Sequence, residues 1–276
     1  MGETEADINI FGRSRGNSSL NTVIRDKPVF NPNDLYYDMS GKKYLHIFNH
    51  YEYQKTRYFK NKKPSTREGT QNDVSRLTEV FENLGFEVTP YDDKEYQQII
   101  DIITEITIKD NRDTSCLFFA FLTHGNIGGD LYAADQPYQF KDVLGLLEHG
   151  HESLVAKPKV IFVQACRGNQ MDDGKKIELD GPCASYLIPT HADFLILYST
   201  VEDHRSYRDT NGSFMIQDLC EVIHTYHKSW DLLQLLTLVH RSVAYKRSTY
   251  TPRVMSRHNK KQMPETKYTL TKFLRL

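Results

Sequence analysis

The run Cys116-Leu117-Phe118-Phe119-Ala120-Phe121-Leu122 is apolar at every position and ends at once in Thr123-His124-Gly125. A strand with one wet face alternates apolar and polar side chains, so a run without alternation marks a strand covered on both faces, as in the middle of a parallel sheet. Residues 160–163 (Val-Ile-Phe-Val) repeat the pattern and stop at Gln164-Ala165-Cys166-Arg167-Gly168, and residues 194–198 (Phe-Leu-Ile-Leu-Tyr) make a third such run. Working outward, residues 73–84 place Val74, Leu77, Val80, Phe81 and Leu84 on one helical stripe, with Asn72 as the expected cap and Gly85 as the stop. Residues 95–108, with Ile99, Ile102, Ile103 and Ile106 facing inward, and residues 140–147, 213–226 and 231–245 read as further helices. Residues 44–49, 86–91 and a tail segment 267–274 read as strands. Strands alternating with helices predict an α/β fold, a mostly parallel central sheet with helices on both faces.

The chain has 276 residues, enough to bury a core without disulfide or metal staples. Its 35 Lys+Arg nearly cancel its 36 Asp+Glu, which speaks against a dedicated nucleic-acid binder. Ten Lys or Arg lie between Arg241 and Arg275 against one acid, Glu265, and they read as a solvated rim. No apolar run approaches the ~20 residues of a membrane span. The opening MGETEADINI has no basic-then-apolar signal, so the expected location is cytoplasmic. Cys116, Cys166, Cys183 and Cys220 form no C-x-x-C pair, so neither a metal site nor a cofactor is expected. Residues 1–34 are polar and without periodicity and read as a flexible leader. Residues 169–189 are equally aperiodic, with Asp172, Asp173, Gly174, Asp180, Gly181 and Pro182, and read as an exposed linker.

Open parallel sheets bind ligands just beyond the carboxyl ends of their strands. Two of the buried strands end there in reactive residues, His124 and Cys166, and the stretch between them holds one helix, as a parallel crossover requires. If the strands are neighbours, a thiol lies beside an imidazole, which is an activated nucleophile. Gly125 lets its backbone N–H approach a substrate closely, and with the N–H of Cys166 it supplies two oxyanion donors. The pattern by itself leaves two readings open: a Cys–His hydrolase, or a core thiol and a structural histidine. A nucleotide-binding reading of Gly125-Asn126-Ile127-Gly128-Gly129 fails, because the stretch fits neither G-x-G-x-x-G nor a P-loop.

Gln164-Ala165-Cys166-Arg167-Gly168 is the pentapeptide signature of caspases, with a histidine roughly 50 residues upstream. From about Tyr37 to the end, the chain resembles that family in several motifs in the right order. They include residues 47–50 (Ile-Phe-Asn-His), 66–70 (Thr-Arg-Glu-Gly-Thr) with Asp73, and 123–125. Residues 192–195 (Ala-Asp-Phe-Leu), 198–200 (Tyr-Ser-Thr), 212–214 (Gly-Ser-Phe) and 261–264 (Lys-Gln-Met-Pro) complete the set. The resemblance, to a short-prodomain effector-type zymogen, implies a caspase-like three-layer sandwich. It implies Cys166 as nucleophile, His124 as general acid–base oriented by a backbone carbonyl, that of Ser65, and Gly125 and Cys166 as oxyanion donors. It implies a primary pocket of Arg67, Gln164 and Arg208, with Ser206 and Tyr207 also binding substrate. Two guanidinium groups in one pocket suit a short carboxylate, so the implied substrate is a protein cut after aspartate.

The resemblance further implies a zymogen of apoptosis-type signalling, cut after Asp180 (Ile177-Glu178-Leu179-Asp180) and in the leader after Asp7. The domain division is then a leader 1–34, a large subunit 35–180 and a small subunit 181–276. Asp26, Asp172 and Asp173 are weaker processing candidates. The implied partners are a second protomer, identical or a related caspase, an upstream caspase and inhibitor-of-apoptosis proteins. Four positions depart from the family: Thr123 stands where Ser is usual, Arg205 where an aromatic lines the second subsite, and Tyr207 and Phe214 where Trp is common. They imply a more polar preference at P2, the residue before the aspartate. They also keep a second reading in play, a catalytically weak regulator that dimerises with an active caspase.

Overall fold

The structure, a computed structural model, describes residues 27–28, 30–31, 33–126, 128–167, 192–202, 204, 206–209, 211–254, 256 and 258–276. The expected leader cleavage at Asp7, the linker with Asp172, Asp173 and Asp180, and Asp26, Cys183 and Arg205 lie outside the described residues.

Six strands form the central sheet. In chain order they are β1 (Lys42–Asn49), β2 (Phe86–Asp92), β3 (Thr114–Leu122), β6 (Lys159–Gln164), β7 (Phe194–Tyr198) and β10 (Glu265–Tyr268). Their spatial order is β10-β7-β6-β3-β1-β2, parallel throughout except for β10, which runs antiparallel to β7. Two short ribbons sit outside it, β4 (Asp130–Tyr132) with β5 (Pro137–Gln139), and β8 (Arg208–Asp209) with β9 (Gly212–Ser213). The helices are α1 (Thr70–Asn83), α2 (Tyr96–Ile108), α3 (Phe140–Glu148), α4 (Phe214–Tyr226) and α5 (Leu232–Lys246).

The pleat divides the side chains between two cores. Leu45, Ile47, Phe118, Ala120, Leu122 and Phe162 face α1, α4 and α5. Phe48, Leu117, Phe119, Phe121, Ile161 and Val163 face α2 and α3. Every residue of β3 and β6 is buried, so the missing alternation reads correctly as two covered faces. Each fully buried Leu, Ile or Phe there contributes roughly 1.5–3 kcal/mol.

Two expectations are corrected. Helix α1 begins at Thr70, capped by Gly69 with a left-handed φ of 84°, rather than by Asn72. The cause is Thr70, whose buried hydroxyl accepts from Arg67 and donates to Asn49, pulling an extra turn of helix under the sheet's end. The tail strand is Glu265–Tyr268 and not residues 267–274. Beyond it the Thr271 hydroxyl donates to Asp193 and the Thr271 N–H donates to the Tyr37 hydroxyl oxygen, which turns the chain away until Leu274 reaches the core.

Register fixes what meets at the carboxyl rim. Asn49 of β1 lies opposite Leu122 of β3, and Leu122 lies opposite Gln164 of β6. Residues His50, Thr123, His124, Ala165 and Cys166, each one or two positions further on, therefore emerge along one edge of the sheet.

Candidate active site

His124 and Cys166 sit at the ends of adjacent parallel strands. The backbone turn at Gly125 lies against the Cys166 turn so closely that a Cβ on Gly125 would meet the Cys166 carbonyl oxygen at 2.2 Å. Glycine is required there by contact. Cys166 is partly exposed, with its sulfur 3.8 Å from the Ser206 carbonyl and 3.7 Å from the Ser206 hydroxyl. The other described thiols are buried, and burial pushes both up, Cys220 to about 12.

The imidazole of His124 is held on three sides. Its Nε2 lies 2.8 Å from the Ser65 carbonyl oxygen, so this nitrogen carries the proton and donates, leaving Nδ1 with the lone pair. The Tyr53 ring stacks on it at 5.1 Å between centroids, and the Tyr132 ring stands edge-on at 6.2 Å. The Tyr53 hydroxyl also accepts the backbone N–H of His124 at 3.0 Å and bonds the Thr123 hydroxyl at 2.9 Å. Burial lowers the imidazole to about 4; the Ser65 bond opposes this, and the charges of Arg67 and Arg208 add to it. The ring is neutral at neutral pH.

Arg67 is an almost fully buried cation. Its Nη1 donates to the His50 carbonyl at 3.1 Å, the Leu122 carbonyl at 2.8 Å and the Thr70 hydroxyl at 2.7 Å, while Nε is buried without a partner. Gln164 is buried too, and its Oε1 has no partner. A half-turn of the amide presents an N–H at the same end. Arg208, half-buried, reaches the Thr66 carbonyl at 3.4 Å. Arg67 bonds the carbonyl of Leu122, which pairs with Gln164 across β3 and β6, and Arg208 bonds the carbonyl of Thr66, the residue before Arg67, so the three side chains start from one stretch of the rim. Two buried polar atoms without partners are expensive, and a carboxylate is the kind of group that a guanidinium N–H and an amide N–H can hold.

The surrounding segments are tied down. The Tyr207 N–H donates to Gln262 at 2.7 Å, and Gln262 donates to the Ser199 carbonyl at 2.8 Å, which joins residues 261–264 to the site. Tyr207 also packs on Phe214 at 6.5 Å. The buried Asp73 accepts from the N–H and hydroxyl of Ser213, linking α1 to the start of α4. Arg167 lies over the Tyr198 ring and pairs with Glu265. The sequence reading omitted Tyr53 and Tyr132. The signal for Tyr53 was its position just beyond β1, on the rim where the site lies; Tyr132 stands on a three-residue strand too short to read.

Residues 42–275 match the family model of the caspase domain. The chain belongs to the caspase family. This caspase is 38% identical over 237 residues to caspase drICE of Drosophila melanogaster, covering 83% of the chain and 68% of that relative. To caspase-6 of Mus musculus it is 35% identical over 267 residues, 91% and 94% of the two chains. The crystal structure of caspase-1 from Spodoptera frugiperda aligns with a TM-score of 0.79 at 35% identity over 91% of this chain and 96% of that one. This caspase thus has the caspase-like α/β fold and is a cysteine-type endopeptidase, a hydrolase of protein substrates. No helix among the described residues is long and apolar enough to cross a membrane.

Proposed function

We propose that the enzyme cuts proteins after aspartate, with Cys166 as nucleophile, His124 as general acid–base, and Arg67, Gln164 and Arg208 holding the aspartate carboxylate. The observation that carries this reading is the pair of partnerless buried atoms, Arg67 Nε and Gln164 Oε1, on the rim where Arg67 reaches the Leu122 carbonyl opposite Gln164 and Arg208 reaches Thr66. A substrate lacking the carboxylate leaves those polar groups buried and unpaired, a penalty that rejects analogues by about 10⁴-fold or more.

In the mechanism, the Cys166 thiol gives its proton to His124 Nδ1, the nitrogen left free by the Ser65 bond. The thiolate attacks the scissile carbonyl, and the N–H groups of Gly125 and Cys166 take the oxyanion. The imidazolium then protonates the departing amine as the C–N bond breaks, leaving a thioester on Cys166. Water, deprotonated by His124, attacks the thioester, and the acid product leaves as the thiol is restored. The Tyr53 stack and the Ser65 carbonyl keep the ring aligned through both proton transfers. Ser206 and Tyr207 flank the substrate on the acyl side, and the departures at Arg205 and Tyr207 support a polar P2 preference.

The chain is proposed as a zymogen of apoptosis-type signalling in the cytoplasm, cut after Asp180 so that the large-subunit region 35–180 separates from the small subunit 181–276, with a further cut at Asp7 in the leader. Protomers pair, with themselves or a related caspase, through the outer edge of β10, the sheet's last strand. Digestion of a denatured protein mixture tests the specificity. New N-termini read by mass spectrometry should follow aspartate, and a set following asparagine or basic residues would sink the reading.

A further inference from the structure

A cavity of about 690 Å³ opens from the catalytic rim and shares Gly125 with the proposed oxyanion hole. None of the proposed aspartate-pocket residues lines it. Its floor is aromatic, Phe59 against Tyr132 at 5.0 Å, and its rim carries Lys60, Lys62 and Lys63. Two observations place it on the leaving-group side. Tyr132, in its wall, stands edge-on to His124, and Pro64, also in its wall, precedes Ser65, whose carbonyl holds His124. The departing amine must lie next to its proton donor, so the peptide beyond the cut passes along this wall.

Charge decides what the groove takes. Residues 55–63 carry five cations, Lys55, Arg57, Lys60, Lys62 and Lys63, and no carboxylate. Among the described residues Lys60 and Lys62 form no ion pair, and Lys63 reaches only the exposed Glu52 at 3.8 Å. Asp130, beside the groove, already accepts from Asn126 at 3.1 Å. The loop is set rather than floppy: the Thr56 hydroxyl donates to the Asp135 carbonyl, the Asn61 N–H to the Thr56 carbonyl, and Phe59 is buried. The lysines are thus presented from a fixed backbone over an apolar floor.

We propose that this groove selects substrates with acidic side chains in the first four residues after the cut. The proposal rests on the aspartate-specific reading of the site and adds a second determinant to it. It has a consequence for the chain itself. Gly181-Pro182-Cys183-Ala184 after Asp180 and Ile8-Asn9-Ile10-Phe11 after Asp7 hold no carboxylate, so the groove gives no advantage to self-processing over acidic substrates.

The test uses two quenched fluorescent peptides, identical through the aspartate and carrying either Gly-Asp-Glu-Ala or Gly-Asn-Gln-Ala beyond it. With the processed wild-type enzyme at low salt, kcat/KM should favour the acidic peptide about fivefold, the order that two exposed ion pairs supply. The ratio should fall toward one at 0.5 M salt, where screening reaches within a few ångströms. In Lys60→Gln/Lys62→Gln/Lys63→Gln the low-salt ratio should drop to about one, while an aminocoumarin reporter with no residue beyond the cut changes less than about twofold. A wild-type ratio of one, a ratio indifferent to salt, or a preference that survives in the triple variant overturns the proposal. If the triple variant does not fold, the wild-type ratio and its salt dependence decide. Failure of the underlying reading looks different: neither peptide is cut after aspartate, or Cys166→Ala cuts them as well as wild type.

Discussion

The imidazole of His124 is kept neutral by burial and by two neighbouring guanidinium groups, and removing one of them should be visible at the ring. In Arg208→Gln the His124 value should rise from about 4, followed by NMR titration of the ring protons; an unmoved value would detach Arg208 from the site's electrostatics. The same substitution should lower kcat/KM on aspartate reporters by about 10²-fold or more, since the carboxylate loses a charge-assisted partner. Gly125→Ala is argued from contact alone: its Cβ cannot occupy a point 2.2 Å from the Cys166 carbonyl, so the two turns must separate. An activity loss of about 10² to 10³-fold is expected, the range for a displaced oxyanion donor. Arg67 shows why some of this was illegible in the sequence. Read alone it is a solvated surface charge; its buried state depends on the carbonyls of His50 and Leu122 and the hydroxyl of Thr70, which come from three separate segments.

At the scale of elements, the chain order places Arg67 and Arg208 far apart, and α1 and α4 bring their supports together through Asp73. Burial pushes the Asp73 carboxyl up, while the Ser213 bonds and the charges of Arg67 and Arg208 hold it down. Asp73→Ala leaves the Ser213 N–H and hydroxyl buried without acceptors and should cost about 2–4 kcal/mol by urea denaturation. Less than about 0.5 kcal/mol would mean that the link is incidental. The central strands were legible because β3 and β6 lack alternation, and the helices because their apolar stripes have the right period. The ribbon of β4 and β5 was not, since three-residue strands carry no periodic signal. The start of α1 was misplaced because a buried threonine bond outweighed the local capping preference of Asn72.

At the scale of the whole molecule, acid should loosen the fold. His46 and His50 are both buried and lowered to about 4 by burial, from 6.5 in an open chain. Between those values the unfolded chain binds protons that the folded chain refuses, so stability is full above about pH 6.5 and falls as pH drops toward 4. The slope is at most about 1.4 kcal/mol per pH unit for each histidine. Urea midpoints at pH 7, 6 and 5 should decline, and less steeply in His46→Phe, where the ring still packs on Tyr44, Tyr91 and Phe119. Near-neutral net charge at this scale conceals both the guanidinium pair of the proposed aspartate pocket and the lysines of residues 55–63. Asp180→Ala should keep the large and small subunits joined when an active caspase is added, with only the leader cut at Asp7 remaining, as read by intact mass, whereas wild type yields a piece ending at Asp180. The most direct measurement of the central claim compares kcat/KM on two reporters that differ only in Asp or Asn before the cut, using the processed enzyme and its Cys166→Ala variant. Cleavage of the Asp reporter favoured by about 10⁴-fold and lost with the thiol is the predicted result; comparable cleavage of the Asn reporter, or activity that survives without Cys166, would contradict it.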